Sequence, residues 1–176
     1  MDENFSPKVK DVIAYSREEA LRLGHDFIGT EHLMLGILRK ANGEAIDILN
    51  ALDVDLVMLR KKIEALNPSN TDTAGNDKKS LHLTKQAEKA LKTTFLEKKL
   101  LKSPAVSTAH LLLCILRNEN DPTTKLLNKF DIDYNEVKSV FSQLFMEEDI
   151  TESPKAESSR DEDFDEPRQN PYEGSK

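Results

Sequence analysis

Apolar side chains recur at helical spacing from the start of the chain. Val9, Val12, Ile13, Ser16, Ala20 and Leu23 fall on one face of a helix from Ser6 to about Leu23. Ser6 offers a capping hydroxyl, Pro7 tolerates the first helical position, and Gly24 suits the end. The next apolar run, Leu33 to Leu38, has no polar side. Periodicity alone would allow a buried strand there. Its leucine content, Thr30 as a cap and the basic ending Arg39-Lys40 favour a second helix. A third helix is expected from about Glu44 to Leu52, and a fourth from a cap at Asp55 to about Leu66.

Shifted by 78 residues, the sequence lies on itself without a gap. Thr30, His32, Leu33, Leu35, Ile37, Leu38 and Arg39 fall on Thr108, His110, Leu111, Leu113, Ile115, Leu116 and Arg117. Leu49-Asn50 then falls on Leu127-Asn128, and Asp53 and Asp55 fall on Asp131 and Asp133. A repeat of this length is a whole packing unit. The second copy predicts helices opening at Thr84, Thr108, Asp121-Pro122 and Asp133, where Asp133 and Glu136 form a capping-box pattern. No β-rich segment competes. The expected fold is all-α, a tandem repeat of two four-helix units forming one compact eight-helix domain. The first unit covers 1–66, a polar loop 67–82, the second unit 83–146, and an acidic tail 147–176.

The net charge of −7 comes from that tail, which holds eleven acids against four bases. Residues 1–146 carry 21 charges of each sign, without the surplus of bases that a nucleic-acid surface needs. With three prolines and few large apolar residues, the tail is expected to be a disordered linker. The single cysteine, Cys114, excludes an internal disulfide framework and suits a reducing compartment. No early apolar stretch resembles a signal peptide and none reaches the length of a membrane span, so a cytoplasmic protein is expected, with no membrane partner.

Three stretches carry a family resemblance: Phe5-Ser6-Pro7-Lys8, Ser16 to His25, and Ile28-Gly29-Thr30-Glu31-His32-Leu33-Met34-Leu35-Gly36-Ile37-Leu38. Together with the duplication and the acidic segment that follows it, they resemble the N-terminal domain of ClpC-type AAA+ unfoldases over residues 4–146. The resemblance implies a double-repeat domain that receives adaptor proteins and unfolded or tagged substrates, and passes them to an unfoldase coupled to the ClpP protease. It also implies that ATP belongs to modules outside this chain, since no G-x-x-x-x-G-K-[ST] loop occurs here. The chain is therefore expected to be a non-enzymatic fragment of a larger ATPase. The alternative is a free-standing accessory that docks on the protease complex without binding substrate.

The candidate chemistry is Gly29-Thr30-Glu31 at the start of the second helix. A helix N-terminus can hold an anion, and a carboxylate can pair with a guanidinium. In ClpC relatives the glutamate of this motif is associated with recognising phosphoarginine, which implies that role for Glu31. The plainer reading is that Thr30 and Glu31 cap the helix. The second copy reads Ser107-Thr108-Ala109-His110 and lacks the carboxylate. Where the family tends to have aromatic-Thr-x-Arg-Ala, the copies read Phe5-Ser6-Pro7-Lys8-Val9 and Leu83-Thr84-Lys85-Gln86-Ala87, so a base survives only at Lys8. One phosphoarginine site is expected, from Gly29, Thr30 and Glu31 with Ser6 and Lys8. The seam near the two helix starts, with Phe5, Leu83 and Thr84, is the expected adaptor or peptide surface. His32 and His110 recur inside apolar helices, as expected of core rings with one nitrogen on a backbone carbonyl, and no metal site is expected. Cys114 aligns with Gly36 and reads as a buried small residue.

Overall fold

In the computed structural model, residues 5–68 and 81–146 are described. The expected tail disorder over 147–176 and most of the expected inter-repeat loop lie outside the described residues. The helices follow the order read from the pattern: α1 (Pro7–Arg22), α2 (Thr30–Lys40), α3 (Glu44–Ala51), α4 (Leu56–Glu64), α5 (Lys85–Leu100), α6 (Thr108–Arg117), α7 (Pro122–Lys129) and α8 (Tyr134–Phe145). Five of them begin as the sequence predicts. The hydroxyls of Ser6 and Thr84 accept the amides of Val9 and Ala87, Asp55 accepts Met58, and Asp121 accepts Thr123. Asp133 likewise accepts the amide of Glu136.

Each copy is organised around an apolar second helix. Leu33, Met34, Leu35 and Ile37 on α2, and Leu111, Leu112, Leu113 and Ile115 on α6, are fully buried. The first helix of each copy packs along it, α1 on α2 and α5 on α6. A buried glutamate staples each pair together. Glu19 is 2% exposed and receives Arg22 at 2.7 Å, Arg60 at 3.1 Å and Arg39 at 3.3 Å. Its counterpart Glu97, 1% exposed, receives Arg117 at 2.7 Å and the hydroxyl of Tyr134.

Two features depart from the sequence reading. Thr30 and Thr108 do not cap their helices: the N-caps are Gly29 and Ser107, and each threonine is the first helical residue. Short parallel strand pairings also accompany the helices. β1 (Phe27–Ile28) pairs with β2 (His82–Leu83), and a single bridge joins Phe5 to Val106. Pairings this short carry no periodic signal.

Those pairings show how the copies are joined. Ile28 and Val106 are equivalent under the duplication, as are Leu83 and Phe5, so the two contacts are one contact made twice in reciprocal sense. Thr84 N donates to Ile28 O at 3.0 Å, and Ser6 N donates to Val106 O at 2.9 Å. Each copy therefore lays the residues before its first helix beside the residues before the other copy's second helix. The helices interleave accordingly, with α1 and α3 on α6, α2 on α5, and α4 on α7. Among the described residues, 5–68 and 81–140 belong to one compact unit, which holds α1 to α7 and the first part of α8.

Candidate functional site

The crossing decides what surrounds Glu31. Glu31 is at the N-terminal end of α2, and β1 leads into it; β2, which pairs with β1, leads into α5. The start of α2 consequently faces the start of α5, not the start of α1. A cleft of about 320 Å³ lies there, lined by Phe27, Thr30, Glu31, Asn67, Thr84, Gln86 and Asp121, with Leu66, Pro122 and Thr123.

Within this cleft the polar groups are already ordered. Thr30 Oγ1 donates to Asp121 Oδ2 at 2.7 Å and lies 2.9 Å from Thr123 Oγ1. With the Thr30 proton on Asp121, the Thr123 hydroxyl is the donor between the two threonines. The Glu31 carboxylate folds back over Gly29, so close that a Cβ at 29 would stand 2.4 Å from Oε1. It accepts the amide of Glu31 itself and the Asn67 side chain at 2.5 Å. Burial pushes this carboxyl above its ordinary range, Asp121 adds like charge, and the two hydrogen bonds pull it back. The anion at this helix N-terminus is thus Glu31's own side chain.

Two histidines brace the turn that leads into α2. His32 is fully buried, and its Nδ1 accepts the amide of Gly29 at 2.9 Å; Nε2 meets His25 Nδ1 at 2.8 Å, and His25 Nε2 reaches Pro68 O at 3.0 Å. An accepting Nδ1 places the His32 proton on Nε2, and the chain then runs donor to acceptor through His25 to Pro68 with both rings neutral. The backbone carbonyl expected as partner of the two duplicated rings is instead a backbone amide in both copies, since Ser107 N donates to His110 Nδ1 at 2.8 Å. Burial lowers the pKa of each ring to about 4.

The residues grouped from sequence divide between two places. Thr30 and Glu31 line the cleft with Thr84, and Gly29 lies beneath the Glu31 carboxylate. Ser6 and Lys8 do not line it. Lys40 at the end of α2 pairs with Asp11 at 2.7 Å, so the start of α1 lies beside the far end of α2, about 14 Å of helix from Glu31. Ser6 bonds Val106, and Lys8 Cδ lies 3.5 Å from the position a Cβ on Gly43 would take, beside Thr108. Thr108 Oγ1 there accepts the amide of Ala45, and Ser107 Oγ donates to Glu44, the reciprocal of the Thr30–Asp121 contact. The carboxylate of the motif stands in one inter-repeat position and the base in the other.

Among the seam residues, Phe5 is 5% exposed and stacks on Phe95 at 5.3 Å. Leu83 is 37% exposed. Asn67, Gln86 and Asp121 are cleft residues that the sequence reading did not select. Asp121 was legible only as a helix cap, and nothing local in the sequence joins it to Thr30. Among the described residues no group of three or more His, Cys, Asp or Glu side chains is placed to hold a metal ion, and no helix is long and apolar enough to cross a membrane. Cys114 is buried and free.

Residues 4–159 match the family described as Clp repeat (R) N-terminal domain. Over 140 residues the chain is 31% identical to the negative regulator of genetic competence ClpC/MecB of Bacillus subtilis, covering 80% of this chain and 17% of that protein. It is 33% identical over 138 residues to a probable ATP-dependent Clp protease ATP-binding subunit of Chlamydia pneumoniae, covering 78% of this chain and 16% of the other. The chain thus spans about a sixth of the length of these relatives. In three dimensions it is similar to the N-domain of ClpV from Vibrio cholerae, with a TM-score of 0.66 at 14% identity, covering 80% of this chain and 84% of that one.

Proposed function

The chain belongs to the Clp N-terminal domain family, and from that premise we propose that it is a receiving domain for adaptors and protein substrates, delivering them to a Clp-type unfoldase. In this reading the ATP-driven step and the link to ClpP belong to other modules, the domain works in the cytoplasm, and no step of the chemistry takes place on this chain. The observation that carries the reading is the cleft at Glu31, formed by both copies and lined by side chains suited to a polypeptide's polar groups.

At this cleft an arginine-type side chain is the fitting anchor. Glu31 and Asp121 offer two buried carboxylates to a guanidinium, and no base lines the cleft to compete for them. For phosphoarginine, the phosphoryl group would meet the Thr84 hydroxyl and the Gln86 amide instead of Lys8. The one-site reading therefore rests on Glu31, whose carboxylate must leave its own amide and Asn67 to meet a ligand. For adaptors, Leu83 is the exposed member of the seam, while Phe5 acts from beneath through packing.

Calorimetric titration of the full chain with a phosphoarginine-bearing peptide and its unmodified arginine twin tests this. Saturable binding at one site that Glu31→Ala weakens at least tenfold supports the reading, and the tighter of the two peptides identifies the anchor. Absence of heat with both peptides, or an unchanged affinity in Glu31→Ala, overturns substrate capture here. The accessory reading, in which the domain docks without gripping substrate and Glu31 only caps α2, would then stand.

A further inference from the structure

The two copies cross their first and second helices differently. In the first copy the crossing is backbone on backbone: a Cβ on Gly36 of α2 would lie 2.5 Å from Val12 O and 3.2 Å from Ser16 N of α1. Around it Tyr15 lies 4.5 Å beneath the Arg39 guanidinium, and Asp11 is paired with Lys40. The second copy keeps the arginine, as Arg117, and changes the rest. Cys114 stands for Gly36, Thr93 for Tyr15, Lys89 for Asp11 and Asn118 for Lys40. The cysteine side chain bars the close helix approach, threonine is too short to fill the tyrosine's place, and the closing ion pair is gone. A crevice of about 270 Å³ opens between α5 and α6, lined by these residues with Ala90 and Gln86.

The replacements also set its charge. An acid in the first copy has become Lys89, which has no ion-pair partner among the described residues. Arg117 gives Nε to Glu97 and Nη2 to Tyr134, which leaves its Nη1 edge for a ligand. Gln86 and Asn118 add amide donors, and no carboxylate lines the crevice. The surrounding copy, residues 83–146, has ten bases against seven acids, where residues 1–66 have nine against twelve.

We propose that this crevice is an oxyanion site that takes a phosphoryl group between Lys89 and Arg117. Charge-assisted hydrogen bonds from an ammonium and a guanidinium, with neutral amides completing the shell, are the usual means of holding such a group. Cys114 forms the floor. Burial pushes its thiol up to about 12, so at neutral pH it stays uncharged and does not repel an anion.

The test is a titration of the full chain with inorganic phosphate, followed by amide NMR shifts, with a phosphoserine peptide in parallel. Saturable shifts confined to Lys89, Thr93, Asn118 and their neighbours are expected. The double variant Lys89→Asp with Asn118→Lys rebuilds the ion pair of the first copy. It should weaken binding at least tenfold with an unchanged thermal midpoint, while Glu31→Ala leaves binding intact. Tighter binding of the peptide than of phosphate makes the ligand a protein-borne phosphoryl group; equal binding makes it the free ion. Unsaturable shifts spread over the lysines of α5, or saturable binding that survives the double variant, would overturn the site.

Discussion

His32 and His110 show how a duplicated residue can be structural. Each accepts a backbone amide through Nδ1, a role only the uncharged ring can fill. Burial lowers both to about 4 from an ordinary 6.5; His25 lowers His32 further, while at His110 the Glu97 carboxylate opposes burial and Lys98 adds to it. The unfolded chain therefore binds more protons than the folded one between pH 6.5 and 4. Their contribution is complete above pH 6.5 and is lost as the pH falls toward 4, by about 3 kcal/mol for each ring. Urea unfolding at pH 7, 5.5 and 4.5 measures this, and a flat stability over that range would contradict it. A second residue-scale contrast concerns two glycines. At Gly36 a methyl group meets the Val12 carbonyl, so Gly36→Ala is expected to destabilise by about 2–3 kcal/mol. Gly29→Ala meets only the movable Glu31 carboxylate and should cost less, about 1 kcal/mol, while displacing that side chain from the cap.

Among the elements, helix ends repeat even where residue type does not. Gly24 closes α1 with φ 75°, and its counterpart after α5 is Lys102 with φ 55°. A left-handed conformation strains a residue with a Cβ, and glycine adopts it freely. Lys102→Gly is accordingly expected to raise the stability by about 0.5–1 kcal/mol in thermal or urea unfolding, the reverse of the usual glycine effect in a helix. The order of the eight helices and most of their ends were legible because caps and 3.6-residue periodicity are local. Thr30 and Thr108 misled as caps because their hydroxyls serve the opposite copy, at Asp121 and Ala45. Glu19 and Glu97 were invisible for a similar reason. A charged residue in an amphipathic helix reads as solvated, and only the packed arginines make burial tolerable. Glu19→Ala removes the buried partner of three arginines, which keep Glu64 or Glu18 at the surface, and should destabilise by about 2 kcal/mol, less than breaking a fully buried pair because those arginines are partly exposed.

At the scale of the molecule, the two copies form one folding unit. Each supplies the other with a strand pairing, a threonine hydroxyl bond and a helix face. Residues 1–68 alone would leave Ile28, Val9 and the inner face of α3 without their partners. Circular dichroism of that piece should show little helix, while the full chain unfolds in one transition; a cooperatively folded single copy would refute the interleaving as a source of stability.

The sequence by itself determined the helices, the duplication, the apolar second helix of each copy and the asymmetry between Glu31 and Ala109. Those properties are written in spacing and residue type within a few turns of chain. Only the tertiary structure decided which residues share a site. Because the segments before the helices pair crosswise, Glu31 faces Thr84, Gln86 and Asp121 of the second copy, and Lys8 is left at the opposite end of α2. A repeat states which residues are equivalent, but the physical neighbours of each are set by how the copies pack, and that depends on contacts between positions dozens of residues apart.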